Sequence, residues 1–188
     1  FSGTPDAAYA RSGIADPVRA AGGQMEIMAD MKFRQVPIPQ GKDLKRWTFY
    51  GDILDADVVI NVPIAKHHGM ARLTLGAKNL LGVITNRAAI HQNMGQRIAD
   101  LVTVVRPALT VIDAVRIMLR NGPTGGRLDD VKIMNTVIAS ADIVAADAYA
   151  TRLFDLQPAD IEYIKAAAAM NLGTMDLSGV KIEELQVG

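Results

Sequence analysis

Short β-branched runs alternate with stretches of helical apolar spacing along this chain. That alternation limits the fold more than any other feature. Asp57-Val58-Val59-Ile60-Asn61-Val62, ended by Pro63, reads as the clearest strand of the first half. Its centre is a continuous β-branched run, which predicts burial on both faces. Met70, Leu73, Ala77, Leu80 and Leu81 then share one face at ~100° per residue and predict a helix over 70–81, closed by Gly82. A second helix over 93–106 carries Ile98, Leu101, Val102 and Val105 and stops before Pro107. Leu109–Asp113 and Ile133–Ser140 read as two further buried strands. Helices from Ile143 to Phe154 and from Pro158 to Met170 follow, and Val180–Val187 reads as a last strand at a solvent edge. Strands joined by helices predict an α/β fold, a mostly parallel sheet with helices on both faces.

The first fifty residues carry weaker signals. Thr4 as cap, Pro5 at the first helical position and Gly22-Gly23 as a stop predict one or two short helices over 4–21. Met25–Ala29 reads as a short strand. Residues 30–46 hold Pro37, Pro39 and Gly41 and read as a loop with one edge strand. Trp47–Tyr50 reads as extended.

A length of 188 residues fits a single α/β domain over 1–188. Phe1-Ser2-Gly3 opens without Met, as a processed or truncated piece would. Twenty basic and twenty acidic residues cancel, which argues against a broad basic field for nucleic acid or an anionic membrane. No cysteine is present, so this chain offers no disulfide, thiol nucleophile, Cys-ligated zinc or iron–sulfur cluster. No apolar run is long enough for a membrane-spanning helix and no signal peptide is visible; a cytoplasmic location is expected.

Chemistry concentrates after the first strong strand. Pro63-Ile64-Ala65-Lys66-His67-His68-Gly69 reads as a strand-to-helix loop, and the helix after it carries Lys78 and Asn79. His91 comes in the next loop, so every histidine of the chain lies within 67–91. Lysine suits phosphate or carboxylate as a point charge, and imidazole suits acid–base work or metal ligation. The plainer explanation is a loop lysine, one core histidine and two solvated ones. Asp113, at the end of its predicted strand, is placed where open α/β sheets bind ligands, though an acid there also caps turns. Asn121-Gly122-Pro123-Thr124-Gly125-Gly126 permits close backbone approach at Gly122 and Gly125, but it lacks the ending of a phosphate-binding P-loop. Asp142 reads as a helix cap. Asp147, set among Ala145, Ala146 and Ala148, must be paired or functional. No Ser-His-Asp arrangement, nucleophile elbow or His-Glu-x-x-His motif is present.

These blocks, in this order, resemble the bacterial and archaeal family called domain of unknown function 362. Its pattern is a hydrophobic strand, Pro-x-x-Lys-x-His, and a Thr/Gly-x-x-Lys-Asn-Leu-x-Gly helix. Here it stands as Asp57–Pro63, Lys66, His68, then Thr74, Gly76, Lys78, Asn79, Leu80 and Gly82. His91, Asp113, Gly122-Pro123, Ala139-Ser140-Ala141-Asp142 and Ala146-Asp147-Ala148 continue the match, which covers roughly 50–170. His67 departs from the small residue usual there, and the family's opening strand segment is missing. The resemblance implies an α/β domain and adds weight to Lys66, His68, Lys78, Asn79, His91, Asp113 and Asp147. It also implies a ferredoxin-like iron–sulfur module in many relatives, a label that does not transfer to a chain without Cys.

The expectation is a pocket at the carboxyl edge of the sheet for a small anionic molecule or a metal. Lys66, His68 and Asp113 are its catalytic candidates. Lys78, Asn79, His91, Gly122, Gly125 and Asp147 are its ligand-binding candidates. The alternative is a non-catalytic accessory or ligand-binding module working with a separate iron–sulfur redox protein.

Overall fold

The computed structural model describes residues 4–187; Phe1-Ser2-Gly3, read above as the start of a processed piece, and Gly188 lie outside the described residues. The chain divides into two compact units, residues 1–33 and residues 34–188.

The first unit is built on α1 (Pro5–Ser12) and α2 (Ala15–Ala20). Thr4 caps α1 by accepting the Ala7 N–H, Pro5 opens it, and Gly13 ends it at φ +70°. Met25–Ala29 forms no strand, contrary to the expectation, and leads into a 3-10 turn at Asp30–Lys32.

The division falls after the first residue of β1 (Phe33–Pro37), which pairs with β2 (Arg46–Tyr50); α3 (Gly51–Asp55) follows. The main sheet of the second unit contains β3 (Ile60–Asn61), β4 (Ile64–His68), β5 (Arg72–Thr74), β6 (Leu109–Met118) and β7 (Val131–Ser140). β3 and β4 both run parallel to β6, with Ile60 opposite Leu109 and Ile64 opposite Asp113. They are one strand path interrupted at Val62-Pro63, where proline removes a ladder donor. β5 and β7 run antiparallel to β4 and β6. The fold is α/β, with a parallel centre and antiparallel flanks. The helices are α4 (Gly76–Asn79), α5 (Arg87–Ile90), α6 (Met94–Val102), α7 (Ile143–Ala150) and α8 (Glu162–Ala169).

Several sequence expectations are corrected here. The predicted helix over 70–81 is a turn, β5 and the one-turn α4, because Leu73 and Leu75 alternate into the core as strand residues do. The predicted loop at 64–68 is β4, paired on both sides. Asp113 is not at a strand end: β6 runs five residues further, through a bulge beside it. Residues 180–187 form no strand. The predicted double burial is also replaced by alternation. Asn61, Ala65, Thr110, Ile112, Ala114 and Ile138 face the core, where α4 and α7 pack on β6. Ile60, Val62, Ile64 and Val137 lie on the opposite face and are exposed. That face is left open among the described residues, so the helical cover lies on one side of this sheet.

The core joins Phe49, Leu73, Leu75, Ile98, Leu101, Ile112, Ile117, Ile161 and Tyr163, all fully buried. Asp100 is fully buried within it and accepts the N–H groups of Lys42, Asp43 and Leu44 at 2.7–2.9 Å. Three amide donors satisfy a carboxylate that burial would otherwise penalise by several kcal/mol, and they tie the loop before β2 to α6.

Candidate functional site

β4 delivers the first cationic groups. Alternation along the strand sends Lys66 and His68 to one side and His67 to the other. β5 pairs back with Lys66 opposite Thr74 and His68 opposite Arg72. The tight turn between the strands closes over the His68 ring. Met70 N–H and Ala71 N–H both donate to Nδ1 at 3.2 Å. His67 is held in the same manner by the glycine loop: Gly122 N–H donates to its Nδ1 at 3.1 Å, and Gly69 N–H donates to the Gly122 carbonyl at 3.2 Å. A neutral imidazole whose Nδ1 accepts must carry its proton on Nε2. Both rings therefore present an N–H donor on their free edge.

Gly122 is required sterically. A Cβ there would overlap the His67 carbonyl oxygen and press on Met118 Sδ, and Met118 is the register partner of Lys66. The loop thus packs directly beside β4. Gly125 adopts φ +91°, a conformation that favours glycine, and a Cβ there would meet open space.

α4 delivers Lys78 and Asn79. A single turn cannot hold itself, because nucleation costs more than one hydrogen bond returns. It is held from below by Asp147 on α7, whose carboxylate accepts Gly76 N–H at 2.6 Å and Ala77 N–H at 2.9 Å. It is held from the sheet by Asn61 on β3: Asn61 Nδ2 donates to the Gly76 carbonyl at 2.9 Å, and Asn79 Nδ2 donates to Asn61 Oδ1 at 2.8 Å. Gly76 allows this approach, since a Cβ would stand 2.7 Å from Asp147 Oδ1 and 2.9 Å from Thr110 Cγ2. Asn61 was missed as a functional candidate from sequence. Its signal was a lone amide in a β-branched run, which must find partners if buried.

The electrostatics follow from this assembly. His68 is buried, and burial first, then the charges of Lys78, His91, His67 and Lys66, push its imidazole down to about 4. Lys78 is half-buried, and burial followed by the Lys66 charge pushes its ammonium down to about 8. Among the described residues neither Lys66 nor Lys78 has a carboxylate within ion-pair distance. Asp147 is fully buried and pushed up to about 7 by burial, against the opposing pull of the Ala77 and Gly76 amides.

The structure therefore brings Lys66, Lys78 and His91 within electrostatic reach of His68, and Lys66 within reach of Lys78, and it sets the Gly122 loop against His67 on β4. Asn79 is exposed beside Lys78 and tied to Asn61. Asp113 stays with its own bulge, where its Oδ1 accepts Val115 N–H at 2.9 Å, and it is not among the charges acting on His68. Asp147 acts through the α4 backbone and is sealed from the surface. Among the described residues no group of three His, Asp or Glu side chains is arranged to hold a metal ion. A hollow of about 670 Å³ begins at the same turn, lined by Met70, Arg72, Met94, Gln96, Tyr163 and Lys165 rather than by the cluster itself.

With this geometry in place, comparison with known proteins decides the family. The family model described as "Domain of unknown function (DUF362)" matches residues 1–152. The chain belongs to that family. DUF362 carries no activity in its description. A thylakoid-associated protein of Synechocystis sp. is 29% identical over 130 residues, covering 64% of this chain and 40% of that protein. The chain thus spans under half the length of the curated relative it matches. No solved structure matches. Among the described residues of this DUF362 chain, no helix is long and apolar enough to cross a membrane.

Proposed function

We propose that the Lys66–His68–Lys78 cluster binds the anionic group of a small molecule. One observation carries this reading: a half-buried lysine and a second lysine beside it, neither with a carboxylate partner among the described residues. Two like charges brought together at a partly desolvated place oppose each other and gain from an anion between them. His68 adds a neutral Nε2–H donor, and the His67–Gly122 contact keeps the glycine loop at the rim. A histidine-ligated metal is the poorer fit, because each Nδ1 on β4 is already engaged by a backbone N–H.

Thermal shift in low-salt buffer with phosphate, sulfate and small carboxylates tests this. A ligand at ~100 times its Kd adds about 2.7 kcal/mol of stability. Lys66→Ala and Lys78→Ala should each remove the shift, and added salt should weaken it. No shift with any anion, or a shift untouched by both substitutions, overturns the proposal.

A second reading is a non-catalytic ligand-binding module that serves a separate iron–sulfur redox protein. It is favoured by a His68 imidazole too weakly basic for proton transfer near neutrality. A cytoplasmic placement belongs to the same proposal, although the Synechocystis protein is named for its thylakoid association; cell fractionation tests it.

A further inference from the structure

The hollow of about 670 Å³ beside the Met70-Ala71 turn is bounded by that turn, α6 and α8. Small-molecule sites take roughly 300–1,000 Å³, whereas a water takes about 30 Å³, so the space suits a ligand rather than an ion. Met70, Met94, Ala166 and Ala169 give it apolar walls, and methionine adapts to apolar ligands of varied shape. Tyr163 closes it from the core, where its hydroxyl donates to the Leu73 carbonyl at 3.3 Å. The charges of Arg72 and Lys165 cancel those of Asp160 and Glu162 along its lining, unlike the cationic cluster at Lys66, which favours a ligand without net charge.

Two polar side chains of the lining are held with one edge free. Asp100, fully buried and fixed by three backbone amides, accepts Gln96 Nε2–H at 2.8 Å. A carboxylate only accepts, so the nitrogen of this amide turns toward the core, where it also meets Met170 Sδ at 3.0 Å. Gln96 Oε1 remains an acceptor without a partner among the described residues. Arg72 stands at φ +61°, a left-handed conformation unusual for a long side chain, and is kept there by its pairing opposite His68. Its Nη1 donates to the carboxylate and to the carbonyl of Asp160, each at 3.3 Å. Its Nε–Nη2 edge, the fork that grips a carboxylate through two parallel N–H bonds, has no partner among the described residues. Gln96 lies beside Glu162, because α6 and α8 touch where a Cβ on Gly95 would stand 2.7 Å from Glu162 Cβ. Glu162 pairs with Lys165 at 3.0 Å on an exposed face, a contact surrendered at little cost.

We infer that this hollow binds a short apolar peptide with both termini free. Its carboxylate sits on the Nε–Nη2 edge of Arg72, its ammonium on Gln96 Oε1 and Glu162, and its side chains against Met70, Met94, Ala166 and Ala169. A ligand of one sign would engage one of these ends and oppose the other, whereas a zwitterion engages both. The apolar walls are spread over four side chains, more surface than a single amino acid covers. The site does not depend on Lys66 or Lys78, neither of which lines it.

Calorimetric titration of the full chain with the dipeptide Leu-Leu tests this, alongside N-acetyl-Leu-Leu and Leu-Leu amide. Leu-Leu should bind, and blocking either terminus should weaken it roughly tenfold, as the loss of one charge-assisted contact does. Arg72→Gln should weaken Leu-Leu to the level of its amide and leave the amide unchanged. Ala169→Trp, at an exposed position of the wall, should fill the hollow and abolish binding of all three without moving the thermal midpoint. Lys66→Ala should leave all three titrations as they are. No heat from Leu-Leu at millimolar concentration overturns the inference, as do equal affinities for the three peptides or binding that survives Ala169→Trp. Binding lost in Lys66→Ala would move the peptide to the cationic cluster and overturn it as well, while the anion site would stand.

Discussion

His68 and Asp147 are both buried titratable groups beside α4, and they pull stability in opposite directions with pH. The folded His68 value is depressed from 6.5 to about 4, so between those values the unfolded chain binds more protons and stability falls as pH falls. The folded Asp147 value is raised from 3.8 to about 7, so over nearly the same window the folded chain binds more protons and stability falls as pH rises. The two slopes largely cancel in the wild-type protein between pH 4 and 6.5. Removing either one exposes the other, at up to about 1.4 kcal/mol per pH unit. Denaturant midpoints measured from pH 4.5 to 6.5 should therefore decline with pH in His68→Gln and climb with pH in Asp147→Asn. Parallel profiles in the two variants would show that these groups do not control the window. Sequence marked Asp147 as a carboxylate that must be paired or functional, and its partners are two amides of a segment about seventy residues earlier. It could not mark the tautomer of His68, because the amides that fix it belong to a turn that apolar spacing had assigned to a helix.

At the scale of elements, the stretch 69–83 shows how one pattern serves two structures. Met70, Leu73, Ala77, Leu80 and Leu81 fit a helical stripe, yet Leu73, Thr74 and Leu75 also alternate as a strand. Pairing of Arg72–Thr74 with β4 decides the matter, and that pairing is a contact between segments which periodicity within one segment does not contain. The glycines then separate by role. Gly76→Ala would drive a methyl against Asp147 Oδ1 and Thr110 Cγ2, both in the packed interior, and should cost about 1–3 kcal/mol. Gly82→Ala meets nothing within 4 Å and carries no positive φ, so it should stay within about 0.5 kcal/mol of wild type. Chemical denaturation of the two variants side by side checks the contrast; equal losses would mean α4 is not clamped as described. Gly122→Ala should show the consequence for the site, lowering stability and weakening anion protection together, because the glycine loop can no longer seat on His67.

Across the larger unit, the two faces of its main sheet are unlike in a way that composition conceals. The β-branched run at 57–62 looked like a strand buried on both sides because it has no polar alternation. In the structure Asn61 turns inward to hold α4, while Ile60 and Val62 turn outward and are 57% and 61% exposed. Ile64 and Val137 extend the same face through the shared register partner Asp113. The run was legible as a strand and its class as α/β, but not which side is covered, since that depends on helices from distant parts of the chain. An apolar face of this kind binds hydrophobic dyes in a natively folded protein, where a covered sheet would not. Val62→Lys and Val137→Lys together should lower anilinonaphthalene sulfonate fluorescence severalfold while shifting stability by no more than about 1 kcal/mol, as surface substitutions do. The dye is itself an anion, so the measurement is repeated with Lys66→Ala, which should leave most of the fluorescence in place. Fluorescence that follows Lys66 rather than Val62 and Val137 would move the dye to the cationic cluster and show the sheet face to be covered in solution.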